Sequence, residues 1–298
     1  MKVSAFTIVR DAVRLDYPAV ESIRSILPLV DEYVVLVGDS CDNTLELIRA
    51  IDSPKLVVKE SVWDPELRRG GAVLAQQTNL ALDLCEGDWC FYLQADEVIH
   101  ENDWDRIRSS MERGLKRPAV EGLSFRYHHF MGDYNLTSLL IYKRQVRIVR
   151  NGLGIRSAKD ACGFSREGRK LRTQATGARV YHYGWVRPPE TMGRKQAQLE
   201  IFYSEDPEKT PPATNLRSRS AELNVVAAAS AWDYDLSACV PFRGTHPEVM
   251  RARIAAKNWQ TPACQAAPWW RNRVYWQGLW KKTFKGFGTK IKQRQKAA

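Results

Sequence analysis

FYLQADEVIH, residues 91–100, is where an apolar run meets an acidic knot: Phe91, Tyr92 and Leu93 give way to Gln94, Asp96, Glu97 and His100. A short bulky run bounded by polar residues reads as a buried strand arriving at its polar end. That end is either a solvated strand terminus or an ion site, and the flanking segments decide which fold carries it. KVSAFTIV (2–9), EYVVLVGD (32–39) and KLVVKES (55–61) read as strands, and DWCFYLQADE (88–97) as the next. DYPAVESIRSILPLV (16–30), DNTLELIRAI (42–51), RRGGAVLAQQTNLALDLC (68–85) and NDWDRIRSSMERGLKR (102–117) carry helix-period apolar positions. Strand and helix alternate four times, which specifies an α/β fold with a parallel sheet wrapped by helices. In such sheets ligands sit at the polar strand ends. Here those ends are Arg10-Asp11, Gly38-Asp39-Ser40 and Gln94 to Glu97.

Beyond residue 118 the order is less regular. EGLSFRYHHF (121–130), YKRQVRIVR (142–150) and RVYHYGWV (179–186) read as strands, and ETMGRKQAQLEIFY (190–203) as a helix. Residues 205–220 form a Pro- and Ser-rich stretch expected to be a mobile loop, and 221–268 a helical part packing back on the domain.

The chain of 298 residues is 44% hydrophobic and 10% aromatic, enough for a sizeable core. No apolar run approaches the ~18 residues of a membrane-spanning helix. MKVSAFTIVRD meets charge too early for a secretory signal. Six cysteines, at 41, 85, 90, 162, 239 and 264, show no C-x-x-C pairing and read as reduced thiols of a cytoplasmic protein. The net charge of +11 is uneven: residues 269–298 carry nine Lys and Arg and no acid, so the body is close to neutral. In that tail Trp269, Trp276, Trp280, Phe284 and Phe287 share a helical face, the pattern of an interfacial helix for an anionic membrane surface. The same face would equally serve to pack on the domain. No recognised nucleic-acid module accompanies it, so nucleic acid is not expected as a partner.

There is no G-x-G-x-x-G, no phosphate-loop G-x-x-x-x-G-K-[ST], no G-x-S-x-G and no zinc spacing. The carboxylate knot remains. A hard divalent ion such as Mg²⁺ or Mn²⁺ takes one or two oxygen ligands from protein and completes its shell with phosphates and water, and Asp96 at a strand end suits that.

Over roughly residues 3 to 200 the chain resembles the family 2 glycosyltransferases. The resemblance rests on five pieces in the family's order: FTIVRD, GDSCDNT, GGAVLAQQTNLAL, LQADE and VYHYGW. It implies a GT-A-type mixed, mostly parallel sheet flanked by helices, with a nucleotide-binding half (1–117) and an acceptor and metal half (118–204). It implies an inverting transferase of the kind used in polysaccharide biosynthesis, which the unpaired thiols and the basic tail would place in the cytoplasm or peripherally at the inner face of the membrane. Such an enzyme moves a sugar from a nucleotide diphosphate donor to a glycan, glycolipid or lipid-linked acceptor. A UDP-sugar is favoured, with GDP and TDP as alternatives, and Mn²⁺ or Mg²⁺ as cofactor.

Carried onto this sequence, the metal falls to Asp96 and His182. Donor contacts fall to Thr7, Val9, Arg10, Asp39, Ser40, Gln77, Asn79, Gln94, Ala95, Arg187 and Lys195. Asp160 is the base that takes the acceptor proton, with Glu97 in reserve. Trp185 and Lys159 face the sugar or acceptor. Two positions depart from the family's pattern: Gln94 replaces the first carboxylate of D-x-D, and Val37-Gly38-Asp39 replaces Asp-Asp-Gly. Gln94 keeps open a catalytically silent nucleotide-binding relative. A nucleotidyltransferase is the other alternative, although VRDAVRLDYP is not its Gly-rich phosphate loop. Arg147 is a further candidate to reach the cleft, and His128 and His129 read as strand residues without a role.

Overall fold

In a computed structural model the described residues are 1–64, 66, 67, 69–203, 236 and 238–261. The expected loop at 205–220 and basic tail at 269–298 lie outside them, as do 221–235, 237 and 262–268 of the expected helical part.

The first half follows the sequence pattern closely. β1 (Val3–Val9), β2 (Glu32–Val37), β3 (Leu56–Glu60) and β4 (Trp89–Tyr92) lie in the order β3-β2-β1-β4, all parallel. Helices α1 (Ala19–Ile26), α2 (Thr44–Arg49) and α3 (Ala72–Asp83) make the crossovers. Strands covered on both faces need apolar side chains on both faces. Accordingly Ala5, Val35 and Phe91 enter one core layer while Phe6, Val34 and Tyr92 enter the other. Phe91 stacks on Phe125 at 5.6 Å and Phe6 on Tyr92 at 5.1 Å. The chain runs from β1 outward to β2 and β3, then returns to set β4 on the opposite side of β1. At that reversal the connections leave in opposite directions and open a crevice beyond the carboxyl ends of β1 and β4.

The second half extends the same sheet. β5 (Glu97–Ile99) is followed by α4 (Trp104–Leu115), β6 (Gly122–Met131), β7 (Asp133–Ser138) and β8 (Arg144–Arg150). β9 (Ile155–Ala158), β10 (Gly163–Arg166) and β11 (Arg169–Lys170) form a separate small sheet. β12 (Thr173–Trp185) runs parallel to β6 and antiparallel to β5, and α5 (Pro189–Tyr203) follows it. β13 (Cys239–Pro241) pairs with β7. Among the described residues the result is a ten-stranded mixed sheet flanked by helices, the GT-A-type arrangement that the resemblance implies.

The stretch 88–97 is not one strand. It breaks after Tyr92, and Glu97 N–H donates to the Gln94 carbonyl at 2.9 Å, a turn from which β5 restarts. The knot is therefore a bend between two strands. After β13, His246 Nδ1 lies 2.8 Å from the Tyr183 hydroxyl, and Met250 is buried in a cluster with Phe130 and Tyr183. The five cysteines among the described residues are free thiols. Among the described residues no helix is long and apolar enough to cross a membrane.

Candidate active site

A cavity of about 340 Å³ fills the crevice between the ends of β1 and β4. Its floor is the bend Gln94-Ala95-Asp96, with Val9 and Arg10 from β1 and its end. Helix α5 covers it with Lys195, Gln198, Leu199 and Phe202. Those four positions are spaced by three, one and three residues, the stripe one helical face presents. His182 and Trp185 come from the end of β12, and Asp160 from the β9–β10 turn.

Asp96 is 7% exposed and sits among cations. Lys195 Nζ donates to its Oδ2 at 3.1 Å and to the Gly184 carbonyl at 2.8 Å. His182 Nε2 stands 3.6 Å from Oδ1. Burial alone would raise the Asp96 pKa; Lys195, His182 and Arg187 overcome it and hold the carboxyl well below the usual range. Lys195 is lowered to about 8, first by its burial and then by Arg187, while Asp96 opposes the fall. Arg187 is fully buried, donates to the Leu15 carbonyl at 2.6 Å and lies over the Tyr17 ring at 4.8 Å. Lys195 lies over the same ring at 4.9 Å.

The hydrogen bonds behind His182 fix its tautomer. Register places His182 beside His129 on β6, with the two Nδ1 atoms 3.0 Å apart. His129 Nε2 lies 2.8 Å from the Tyr142 carbonyl, which only accepts, so this nitrogen carries the proton. Burial first, then the neighbouring His182, lowers the His129 pKa to about 3, so the ring is neutral and its Nδ1 accepts. The proton of the pair thus belongs to His182 Nδ1. His182, itself lowered chiefly by burial, turns the lone pair of Nε2 toward Asp96. Gly184 leaves the intervening space open, since a Cβ there would lie 2.6 Å from His182 Nε2 and 2.9 Å from Asp96 Oδ2. A carboxylate oxygen, an imidazole lone pair with an oriented second nitrogen, and a side-chain-free gap are a donor set that fits a divalent cation. Among the described residues no third His, Cys, Asp or Glu joins them, so water and a phosphate-bearing ligand would complete the shell.

The far end of the cavity is apolar and cationic. Trp63 packs on Phe202 at 5.4 Å, and the Arg10 guanidinium lies over Trp63 at 5.6 Å. Arg10 is 5% exposed and stands 3.3 Å from Asp39 and 3.4 Å from Asp11, yet none of its nitrogens makes a hydrogen bond. Unsatisfied buried donors at a cavity wall invite a polar ligand. Asp160 reaches the rim from a turn whose neighbours, Lys159 and Ala161, both have left-handed backbone at φ of 58° and 57°. Such conformations strain residues other than glycine and concentrate at functional turns.

Several of the expected site residues are engaged within the fold. Glu97 is no candidate base: it is fully buried, and Arg147 holds it through Nε and Nη2 at 2.7 Å each while the Tyr127 hydroxyl donates at 2.8 Å. Arg147 accordingly does not serve the cleft. Thr7 is buried inside β1, with its hydroxyl directed to the Ile8 carbonyl. Gln77 ties α3 to the chain after β3 through Ser61 at 2.7 Å and the Val62 carbonyl at 3.2 Å. Asn79 clamps the backbone of Ser157 at 3.0 and 2.8 Å. Ser40 accepts from Asp11 N–H at 3.0 Å and shapes the turn after β2. Asp39 likewise accepts from Trp63 N–H at 3.2 Å and pairs with Arg10 at the edge of the cavity. Lys159 is exposed and outside the cavity lining. Val9, Arg10, Gln94, Ala95, Asp96, Asp160, His182, Trp185 and Lys195 line one cavity, with Arg187 just behind. Tyr17, Trp63, Gln198, Phe202 and the orienting His129 were not anticipated. For Gln198 and Phe202 the signal was present in their spacing from Lys195.

No family model matches the chain, and no curated protein matches it. Among solved structures, S. aureus TarS is similar at 15% identity and a TM-score of 0.39, over 75% of this chain and 42% of that one. This chain thus spans less than half of that protein's length. The 1–349 form of TarS in complex with UDP is similar at 16% identity and a TM-score of 0.38, over 76% and 70% of the two chains. Mannosyl-3-phosphoglycerate synthase from Rubrobacter xylanophilus is similar at 20% identity and a TM-score of 0.31, over 43% and 41%. At these distances the functional reading rests on the site itself.

Proposed function

We propose that the chain is an inverting glycosyltransferase that takes a sugar from a nucleotide diphosphate donor. The observation that carries this is the convergence of Asp96, His182 and Lys195 on one cavity at the switch point, with Asp160 on the same cavity's rim. The apolar end at Trp63 and Phe202 suits a nucleoside, and Arg10 offers its unsatisfied donors there. The diphosphate then falls toward Lys195 and Arg187. Asp96 and His182 would hold Mn²⁺ or Mg²⁺, which when bound offsets charge on the departing diphosphate. Lys195 donates to the same developing charge, because its ammonium is already oriented by Asp96 and the Gly184 carbonyl. Asp160 accepts the acceptor hydroxyl's proton as that oxygen attacks the sugar carbon. Trp185, turned at an irregularity in the β12–β6 register, offers a ring to the sugar.

A silent binding protein would need the nucleotide end but no carboxylate opposite it, so Asp160 on the rim favours the enzyme. The test is to incubate the protein with UDP-, GDP- and TDP-sugars and measure nucleoside diphosphate release. Slow release from one of them, water replacing the acceptor, with inverted configuration of the freed sugar is expected. Release with retained configuration would overturn the inverting reading. No release from any sugar nucleotide that nonetheless binds would leave the silent protein.

A further inference from the structure

Register sets three arginines side by side across the second half of the sheet. Arg126 on β6 lies directly opposite Arg144 on β8 and Arg179 on β12. Residues paired in register on neighbouring strands send their side chains to the same face. Arg126 and Arg144 are exposed and Arg179 is half-buried. Like charges directly opposite one another destabilise a sheet, so a row of them calls for an explanation. Among the described residues no ion pair engages any of these three side chains. The nearby carboxylate of Asp103 is already taken: Oδ1 accepts from Arg106 at 2.8 Å and Oδ2 from the Arg179 backbone N–H at 2.9 Å.

The three arginines line a groove of about 400 Å³ together with His128, Tyr142 and Lys143. Ile141 and Tyr142 form a wall of both this groove and the catalytic cavity. The groove thus adjoins the cavity whose lining includes Asp160.

We propose that this groove binds an anionic group, phosphate or carboxylate, carried by the acceptor saccharide chain. A planar guanidinium matches either group with two parallel hydrogen bonds, and neighbouring arginines relieve their mutual repulsion by sharing the anion. An extended chain lying over Ile141 and Tyr142 would then present its next hydroxyl to Asp160. Calling the ligand an acceptor rests on the glycosyltransferase reading; the anion site itself rests on the arginine register alone.

The test is a titration of the full chain, with and without UDP, against four probes. These are hexagalacturonate, its methyl ester, a glycerol phosphate oligomer and a thymidine oligonucleotide. The acid form and the phosphate oligomer should bind, and the ester about ten-fold or more weakly, since the charge-assisted hydrogen bonds are lost. Arg126→Gln and Arg144→Gln should each weaken the anionic probes by about ten-fold and leave the ester unchanged. Both positions are exposed, so folding should survive, and the UDP-induced rise in melting temperature should be unaltered. Equal binding of acid and ester, no binding of either anionic saccharide probe, indifference to both substitutions, or preference for the oligonucleotide would each overturn the proposal. If the acid form is still preferred but UDP stabilises nothing, the groove stands and the donor reading fails.

Discussion

Replacing Lys195 with Met should uncouple nucleotide binding from pH. Lys195 is pulled from its ordinary 10.5 to about 8 by burial and by Arg187, against the attraction of Asp96. The other groups facing it are His182, neutral by burial, and the Tyr17 ring. The shift corresponds to about 3 kcal/mol disfavouring the ammonium in the empty site. A diphosphate beside it restores the charged form, so binding takes up a proton once pH exceeds 8. The nucleotide's own last ionisation, near ~6, is complete by then. The Kd for UDP, or for whichever diphosphate binds, should rise about ten-fold per pH unit above 8. Stability of the ligand-free protein should move the opposite way. The folded pKa is the lower one, so the Lys195 contribution is fully present above 10.5 and lost as pH falls through about 8. Isothermal titration from pH 7 to 9.5 in saturating Mg²⁺ reads the first effect. Lys195→Met should bind about 10- to 100-fold more weakly at pH 7 and show a flat profile. A flat profile in the unaltered protein, or a slope surviving in Lys195→Met, would refute the reasoning.

Three further outcomes follow from the same geometry. Glu97→Gln leaves Arg147 buried without its carboxylate and should cost about 3–5 kcal/mol, lowering the melting temperature by roughly 6–20 °C; lost turnover with unchanged melting would return Glu97 to catalysis. Asp160→Asn should cut turnover about 10²- to 10⁴-fold and leave nucleotide affinity unchanged, as measured by diphosphate release and titration; retained turnover would remove Asp160 as the base. Gly184→Ala places a methyl 2.6 Å from His182 Nε2, so it should abolish any Mn²⁺ enhancement of nucleotide binding while the protein still folds; an unchanged enhancement would place the ion elsewhere.

The parallel half of the sheet was legible because its strands are buried on both faces and its helices are amphipathic. The switch point followed from the three polar strand ends. The second half was harder. β9–β11 are short and lack apolar alternation, so nothing in the sequence marks them. The division of 88–97 into β4 and β5 depends on the Glu97–Gln94 turn, a local hydrogen bond invisible to periodicity. Asp96, His182 and Lys195 were found as separate residues, yet their meeting is set by the pairing of β12 with β5 and β6 and by the path of α5. Glu97 beside Asp96 was expected as a reserve base. Alternation sends it to the opposite side, into Arg147 and Tyr127. Gln77 and Asn79 show the same limit: a polar residue on a buried helix face satisfies backbone as readily as ligand.

The most direct test is a thermal-shift screen with UDP, GDP, TDP and CDP, each with and without Mn²⁺, in the unaltered protein and in Asp96→Ala. A ligand at a hundred times its Kd stabilises the folded state by about 2.7 kcal/mol, well within reach of the method. A rise with one nucleotide that Mn²⁺ enlarges and Asp96→Ala removes is expected. No rise with any of them, or a rise indifferent to both Mn²⁺ and Asp96, would contradict it.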